Sequence, residues 1–257
     1  MTDTALQWRQ ELLNLKEKVK QKMFDTKRAL TIAEKIRMDY NIENVKPTTD
    51  IQNAHIQLCE TLDQSKNILN SYRTDSIPYN TTTLNILISL AGDYTTAMNY
   101  FNMMLDLRLR PNTCTLNGFI PYCKTVEQEF EIIKKMSIFN VKSNTQTYNG
   151  LLSLTNNDIQ QNEIIKEMEE KNIEINIVTF NTLISRSPDY KTAIKHFKNL
   201  KSKQFKPTIN TFVTLLKKTT SHQEISEVES LLKTENVLTN NSWERLLDKK
   251  IQQVTNA

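Results

Sequence analysis

Apolar residues recur along this chain in runs that come back every 32 positions. In each run a threonine precedes a large apolar residue, and paired aliphatic residues follow it three and four positions later. This i, i+3, i+4 spacing places the apolar residues on one face of a helix. The runs are TLNILI at 83–88, TLNGFI at 115–120, TYNGLL at 147–152, TFNTLI at 179–184 and TFVTLL at 211–216. The pattern predicts one amphipathic helix in each period.

A second apolar series lies later in each period and predicts a second helix. It is Phe101, Ile133, Ile165 and Phe197, joined three residues later by Met104, Met136, Met168 and Leu200. Methionine at helical spacing fills cores, so we interpret these methionines as packing residues. Glycine, proline or asparagine separates the two helices in most periods, as at Gly92 and Pro188. Each period therefore reads as two helices joined by a turn.

A regular period of this length indicates a solenoid, in which stacked neighbours bury one continuous core. We predict six repeats, at 49–80, 81–112, 113–144, 145–176, 177–208 and 209–239, the last after a one-residue deletion. Residues 1–48 are predicted to form a divergent helical cap and residues 240–257 a capping helix. Trp8 and Trp243 are expected to help cover the two open ends of the stack.

Composition agrees with an all-α chain. Hydrophobic residues make up 38% of the sequence, which is enough for a core, and only 3 glycines and 6 prolines are present. Cys59, Cys114 and Cys123 form no paired motif, so neither disulfides nor a zinc site is indicated. The longest apolar runs fall far below the roughly 20 residues of a membrane span. We therefore expect a soluble protein without membrane partners.

The charge distribution permits an anionic partner. Net charge is +4, but the segment from Lys191 to Lys218 holds 8 lysines and no acidic residue, whereas 158–174 is acidic. The alternative interpretation is a solvated helix face. The N-terminus has no secretory signal, and its acidic residues give no clear mitochondrial presequence.

No motif indicates catalysis. His55, His196 and His222 are far apart in sequence, and neither a metal-binding H-E-x-x-H nor a phosphate-binding glycine loop occurs. His196 falls at an apolar helix position and is expected to be a packed residue. About 18 residues follow the last predicted repeat, too few for a catalytic domain. We therefore expect no enzyme activity, no catalytic residue, no metal site and no cofactor.

At 177–208 the sequence IVTFNTLIS, followed by AIKHFKNLKSKQFKPT, resembles the pentatricopeptide repeat family. That family has a V-T-Y-N-T-L-I first helix and an Ala-Leu-x-x-Phe second helix, and the resemblance covers about residues 49–239. It implies an all-α fold, a right-handed α-solenoid (superhelix) of helix-turn-helix repeats. The repeats here are a short variant, because the interval from Asn181 to Ala193 is three residues shorter than in the family pattern. A shorter repeat alters the pitch of the superhelix and therefore the match of one repeat to one base.

The resemblance also implies a site on single-stranded RNA. In the family, an amide or hydroxyl residue of the first helix and the last residue of the repeat read one unstacked base, which suits the donors and acceptors of an amide. The first-helix positions hold Asn53, Asn85, Asn117, Asn149 and Asn181. The closing positions hold Asn80, Asn112, Asn144, Asn176 and Thr208. Val178 has the apolar character that suits contact with the face of a base.

By the family's code, the four pairs of asparagines suggest a short pyrimidine tract bound 5′ to 3′ along the N-to-C direction, while Asn181 with Thr208 is assigned no base. The implied role is non-catalytic RNA binding in RNA stability, processing or translation in an organelle, most often the mitochondrion, with the cytoplasm as alternative. Two other interpretations stay open. The asparagines can form a structural ladder between stacked helices. The protein can instead be an interaction scaffold or a subunit of a ribonucleoprotein complex, with protein partners.

Overall fold

The computed structural model describes residues 3–23, 25–42, 47–72, 75–155 and 157–256. These residues form fifteen α-helices and no strand, with a 3₁₀ turn at Ile120–Tyr122. The helices are α1 Asp3–Lys20, α2 Thr26–Ile42, α3 Thr49–Ile56, α4 Leu62–Ser71, α5 Thr81–Ser89, α6 Tyr94–Asp106, α7 Thr113–Phe119, α8 Val126–Ser137, α9 Thr145–Leu154, α10 Asp158–Glu170, α11 Ile177–Arg186, α12 Tyr190–Ser202, α13 Ile209–Lys218, α14 His222–Thr234 and α15 Asn241–Thr255. The all-α fold class is confirmed. None of the described helices is both long and apolar enough to span a bilayer.

The chain divides into two compact units. The first comprises residues 1–123 and 131–142, and the second comprises 124–130 and 143–257. In both units the first helix of a repeat packs against the first helix of the next, and the two helices of a repeat pack against each other in the pairs α3 with α4, α5 with α6, α9 with α10, α11 with α12 and α13 with α14. Thus α3 contacts α1 and α5 in the first unit, while α11 contacts α9 and α13 in the second.

The first unit begins with α1, whose apolar face closes the stack. Trp8 and Leu12 are fully buried, and Leu15 is nearly so. The Trp8 and Tyr72 rings lie with their centroids 6.5 Å apart. α1 contacts α3, the first helix of the first predicted repeat. Residues 1–2, 24 and 43–46 of the predicted N-terminal cap lie outside the described residues.

The second unit ends on a core to which three first helices and the second helices α12 and α14 contribute. Phe212, Leu215 and Leu216 of α13 are fully buried and share a cluster with Ile184 of α11 and Trp243 of α15. The 32-residue apolar series predicted from the sequence is therefore the core. Because α15 packs on α13 as each first helix packs on its predecessor, it occupies the place of a further first helix.

Hydrogen-bonding side chains fix where these first helices begin. The residue before each one adopts an extended conformation and serves as N-cap, the position at which a side-chain oxygen satisfies an otherwise unpaired backbone N–H. The N-caps are Thr48, Asn80, Asn112, Asn144, Asn176, Thr208 and Asn240. They recur every 32 residues through Asn240. Asn240, the cap of α15, lies one residue beyond the predicted end of the last repeat at 239.

The turn that follows each second helix from α4 to α14 lacks glycine at the position where the backbone would favour it. One residue in each turn has a positive φ, a conformation that favours glycine, yet none of the six is glycine. These residues are Ser76, Arg108, Asn140, Asn172, Gln204 and Asn236. They too stand 32 residues apart, so the turn geometry repeats although the residue type does not.

Candidate nucleic-acid interface

The closing asparagines of the repeats are helix caps. The Oδ1 atom of each accepts a hydrogen bond from the backbone N–H of a threonine three residues later, at 2.9 Å for Asn80, 3.1 Å for Asn112 and Asn176, and 3.2 Å for Asn144. The threonine hydroxyl in turn accepts from the backbone N–H of the cap, which completes a capping box. Thr208 occupies the same position before α13. These residues therefore already have a structural role.

In the first unit, the first-helix asparagines join each repeat to the next. Asn53 donates from Nδ2 to Asn80 Oδ1 at 3.1 Å and accepts at Oδ1 from the Thr83 hydroxyl at 2.7 Å. Asn85 repeats this arrangement one period later, with 3.1 Å to Asn112 Oδ1 and 2.6 Å from the Thr115 hydroxyl. The structure thus brings together the first-helix and closing residues of these two predicted pairs. Both amides are engaged by protein groups.

In the second unit, the corresponding amides are less engaged. Asn149 and Asn181 are half-buried, and the Oδ1 atom of each is buried without a hydrogen-bond partner among the described residues. The Thr179 hydroxyl donates to its own cap, Asn176 Oδ1, at 3.3 Å. A buried acceptor without a partner costs about 1–3 kcal/mol, so these side chains gain most from a ligand that pairs with the amide. Asn117 is half-buried on α7.

The residues predicted to flank the bases are all exposed. Val178 is 52% exposed in the first turn of α11. The other four residues at this phase share its exposure and are Thr82, Cys114, Gln146 and Asn210. A large apolar side chain left in solvent beside an amide suits stacking on a base. Val178 is the only one of the five with this apolar character.

Charges distinguish the two helices of each repeat in the second unit. Lys201 and Lys203, at the end of α12, pair with Glu235 at 2.5 Å and with Glu169 at 3.1 Å. The ends of α11 and α13 instead carry Arg186, Lys217 and Lys218, a feature that the sequence analysis did not single out. The signal was present in the sequence, because Arg186 and Lys218 stand one period apart.

The histidines are packing residues or lie at the surface. His55 is fully buried with its Nδ1 atom 3.1 Å from Tyr72 Oη, and burial lowers the pKa of His55 to about 4. Burial also lowers the pKa of His196, which confirms its prediction as a packed residue. Within the described part of the chain, no group of His, Cys, Asp and Glu side chains is arranged to hold a metal ion.

The different bonding of the amides predicts different effects on stability. We expect Asn53→Ala to lower the free energy of unfolding by about 1–3 kcal/mol, because it removes both inter-repeat hydrogen bonds of a buried side chain. Asn181→Ala is not expected to lower it, because the substitution removes a buried Oδ1 acceptor that has no hydrogen-bond partner among the described residues. Urea unfolding monitored by circular dichroism measures both. Equal losses would contradict the distinction between the two amides.

Comparison with known proteins points to one family. Residues 131–187 and 163–221 match the family model for the pentatricopeptide repeat domain. The fold is similar to that of the maize pentatricopeptide repeat protein PPR10, at 18% identity and a TM-score of 0.56, over 88% of this chain and 35% of that one. This chain thus spans about a third of the length of the maize protein. No curated protein matches the sequence significantly.

Two further solved structures, both with RNA, have lower similarity. PPR10 in complex with an 18-nt psaJ RNA element matches at 18% identity and a TM-score of 0.49, over 88% of this chain and 40% of that one. The repeat domain of protein-only RNase P 1 from Arabidopsis thaliana, in complex with tRNA, matches at 16% identity and a TM-score of 0.49, over 67% and 98%. Residues 131–221 thus match the pentatricopeptide repeat domain, and the fold of this chain is similar to that of PPR10.

Proposed function

We propose that this protein binds single-stranded RNA through the exposed face of its first helices and has no catalytic activity of its own. The observation that carries the proposal is the recurrence of an amide at one phase of five successive first helices, beside exposed residues. Amides meet the Watson–Crick edges of unstacked bases, and exposed residues beside them meet the base faces. PPR10, which has the similar fold, was solved in complex with RNA.

The chemistry of this face favours RNA over an apolar peptide. A peptide groove needs apolar anchors, but the half-buried and exposed positions of α11 are Asn181, Thr182, Ser185 and Arg186 besides Ile177 and Val178. α9 presents a similar face with Gln146, Asn149 and Ser153. Polar groups that can hydrogen-bond to bases outnumber apolar ones on both helices. The scaffold interpretation has less support from these side chains.

We propose further that each amide reads one base and that the preferred target is a pyrimidine tract bound 5′ to 3′ along the chain. The reading residues in this proposal are Asn53, Asn85, Asn117, Asn149 and Asn181 with their closing partners. The proposed setting is organelle gene expression, in the mitochondrion, where occupancy of the transcript protects it or controls its processing or translation. Protein partners in a ribonucleoprotein complex are compatible with this role.

Single-residue variants test base reading. Asn181→Ala is expected to lower affinity for a pyrimidine tract by about 1–3 kcal/mol, the range of a specific base contact. Asn199→Ala removes an amide from the exposed face of α12, in the same repeat, and is expected to leave affinity unchanged. Fluorescence anisotropy with labelled RNA measures both variants. Equal affinity of wild type and Asn181→Ala, with both proteins folded, would contradict base reading by this residue.

A further inference from the structure

A cluster of cations lies in the last turns of α11 and α13 and along the first two thirds of α15, three consecutive first helices of the second unit. We call it the basic patch, and it consists of Arg186 on α11, Lys217 and Lys218 on α13, and Arg245, Lys249 and Lys250 on α15. The residues follow the repeat register, since Arg186, Lys218 and Lys250 stand 32 residues apart. The same phase in α9 holds Leu154. The cluster is therefore confined to the last three first helices.

Hydrogen bonds hold neighbouring parts of the basic patch together. The Lys218 Nζ atom donates to the Ser187 carbonyl just beyond α11, at 2.6 Å. The Lys250 Nζ atom donates to the Lys217 carbonyl on α13, at 3.4 Å. Burial and the nearby charge of Arg186 both lower the pKa of Lys218. Like charges are thus held close to one another across successive helices, which is unfavourable unless an anion binds between them.

No carboxylate of the described residues forms an ion pair with any member of the basic patch. Lys201 and Lys203, only a few residues away in sequence, do form such pairs. Four members, Arg186, Lys217, Arg245 and Lys249, are exposed. Because their charges are not neutralised within the protein, they are available to an anionic ligand.

We propose that the basic patch binds backbone phosphates of the RNA strand on the 3′ side of the bases read by Asn149 and Asn181. The inference rests on the proposed function and its strand direction. Lys217 lies one helical turn after Val213, the residue at the asparagine phase of α13, so it shares the face that presents the reading residues. Val213 and Arg245 replace the amide on α13 and α15. α13 and α15 therefore contribute positive charge, whereas the earlier first helices contribute the amides that read bases.

The chain offers a charge-matched control for testing this assignment. The patch variant combines Arg186→Gln, Lys217→Gln and Lys249→Gln, one change on each helix. The control variant combines Lys191→Gln, Lys195→Gln and Lys198→Gln, which are exposed residues of the second helix α12. Each variant removes three positive charges, and all six side chains are exposed. Any difference between the variants therefore reflects position rather than net charge.

The experiment measures affinity across a salt series for a pyrimidine RNA of about 12 nucleotides, alone or extended by about four nucleotides at its 3′ or 5′ end. We expect the 3′ extension, but not the 5′ extension, to raise the affinity of the wild type and of the control variant. The patch variant should gain nothing from the 3′ extension. The slope of log affinity against log salt should be shallower by roughly 2 for the patch variant than for the control variant. This is the difference expected when three phosphate contacts are lost, because each contact contributes about 0.7 to the slope.

Other outcomes separate this inference from the proposed function. Equal slopes for patch and control variants, or an equal gain from the 5′ extension, would overturn the phosphate site while leaving RNA binding intact. No RNA binding by the wild type would overturn both. Patch-dependent binding of polyglutamate without RNA binding would assign the basic patch to an acidic protein partner instead.

Discussion

Glu129→Gln is expected to stabilise the protein, and increasingly so as pH rises from about 4.5 to about 8. Glu129 is 1% exposed, and both of its carboxylate oxygens lack a hydrogen-bond partner among the described residues. Burial raises the pKa of this carboxyl group to about 8. Gln161 occupies the same position one repeat later and is equally buried, so the site accepts the neutral amide.

The direction of the pH effect follows from proton binding. Below about pH 4.5 the carboxyl is protonated in both the folded and the unfolded chain and contributes no pH dependence. Between about 4.5 and 8 only the unfolded chain is ionised, so folding takes up a proton and stability falls by roughly 1.4 kcal/mol per pH unit at most. Above that range both states are ionised, and the slope from this group disappears.

Urea unfolding at several pH values measures this effect as the difference between wild type and Glu129→Gln. The control is Glu131→Gln on the same helix, whose carboxylate is largely exposed in an ion pair with Lys135 and should change stability by less than about 1 kcal/mol at any pH. Parallel pH profiles for wild type and Glu129→Gln would show that Glu129 ionises normally in the folded protein.

Phe212→Ala is expected to lower the free energy of unfolding by about 3–5 kcal/mol, the range for removing a buried aromatic ring. Phe212 is fully buried in α13, and its ring centroid lies 5.6 Å from that of Phe197. Repeats in a solenoid are stabilised by contacts with their neighbours, so a cavity at this position weakens the packing of α13 against more than one helix.

Val178→Ala serves as the control for this core substitution. Val178 is 52% exposed on α11, and its loss should change stability by less than about 0.5 kcal/mol. Thermal and urea unfolding of the two variants compare the core and the exposed face directly. A Phe212→Ala protein as stable as Val178→Ala would contradict the placement of the core between the first helices.

The regular features of the fold could be predicted from the sequence because they repeat. Most periods have Thr and Asn at two fixed positions and apolar residues at others. Agreement among the periods therefore makes up for a weak pattern in any single helix. The start of α15 is less plain in the sequence than the starts of the other first helices, and in the structure it follows the cap Asn240.

Other features depend on contacts that a single sequence does not reveal. Nothing in the sequence distinguishes Asn85, which is hydrogen-bonded to the next repeat, from Asn181, whose Oδ1 atom has no partner in the part of the chain that the structure describes. Likewise, Glu129 stands among charged residues in sequence, although its side chain is buried. Partner choice across helices decides both cases, and it depends on small differences in packing.

The binding preference of the purified protein for single-stranded RNA tests the central claim most directly. We would compare C-rich, U-rich and A-rich RNAs of about 12 nucleotides at about 150 mM salt. We expect tighter binding to the pyrimidine RNAs than to the A-rich one, with Asn149→Ala reducing the preference. Absence of binding to all three would contradict it and would assign the asparagines to the stacking of helices alone.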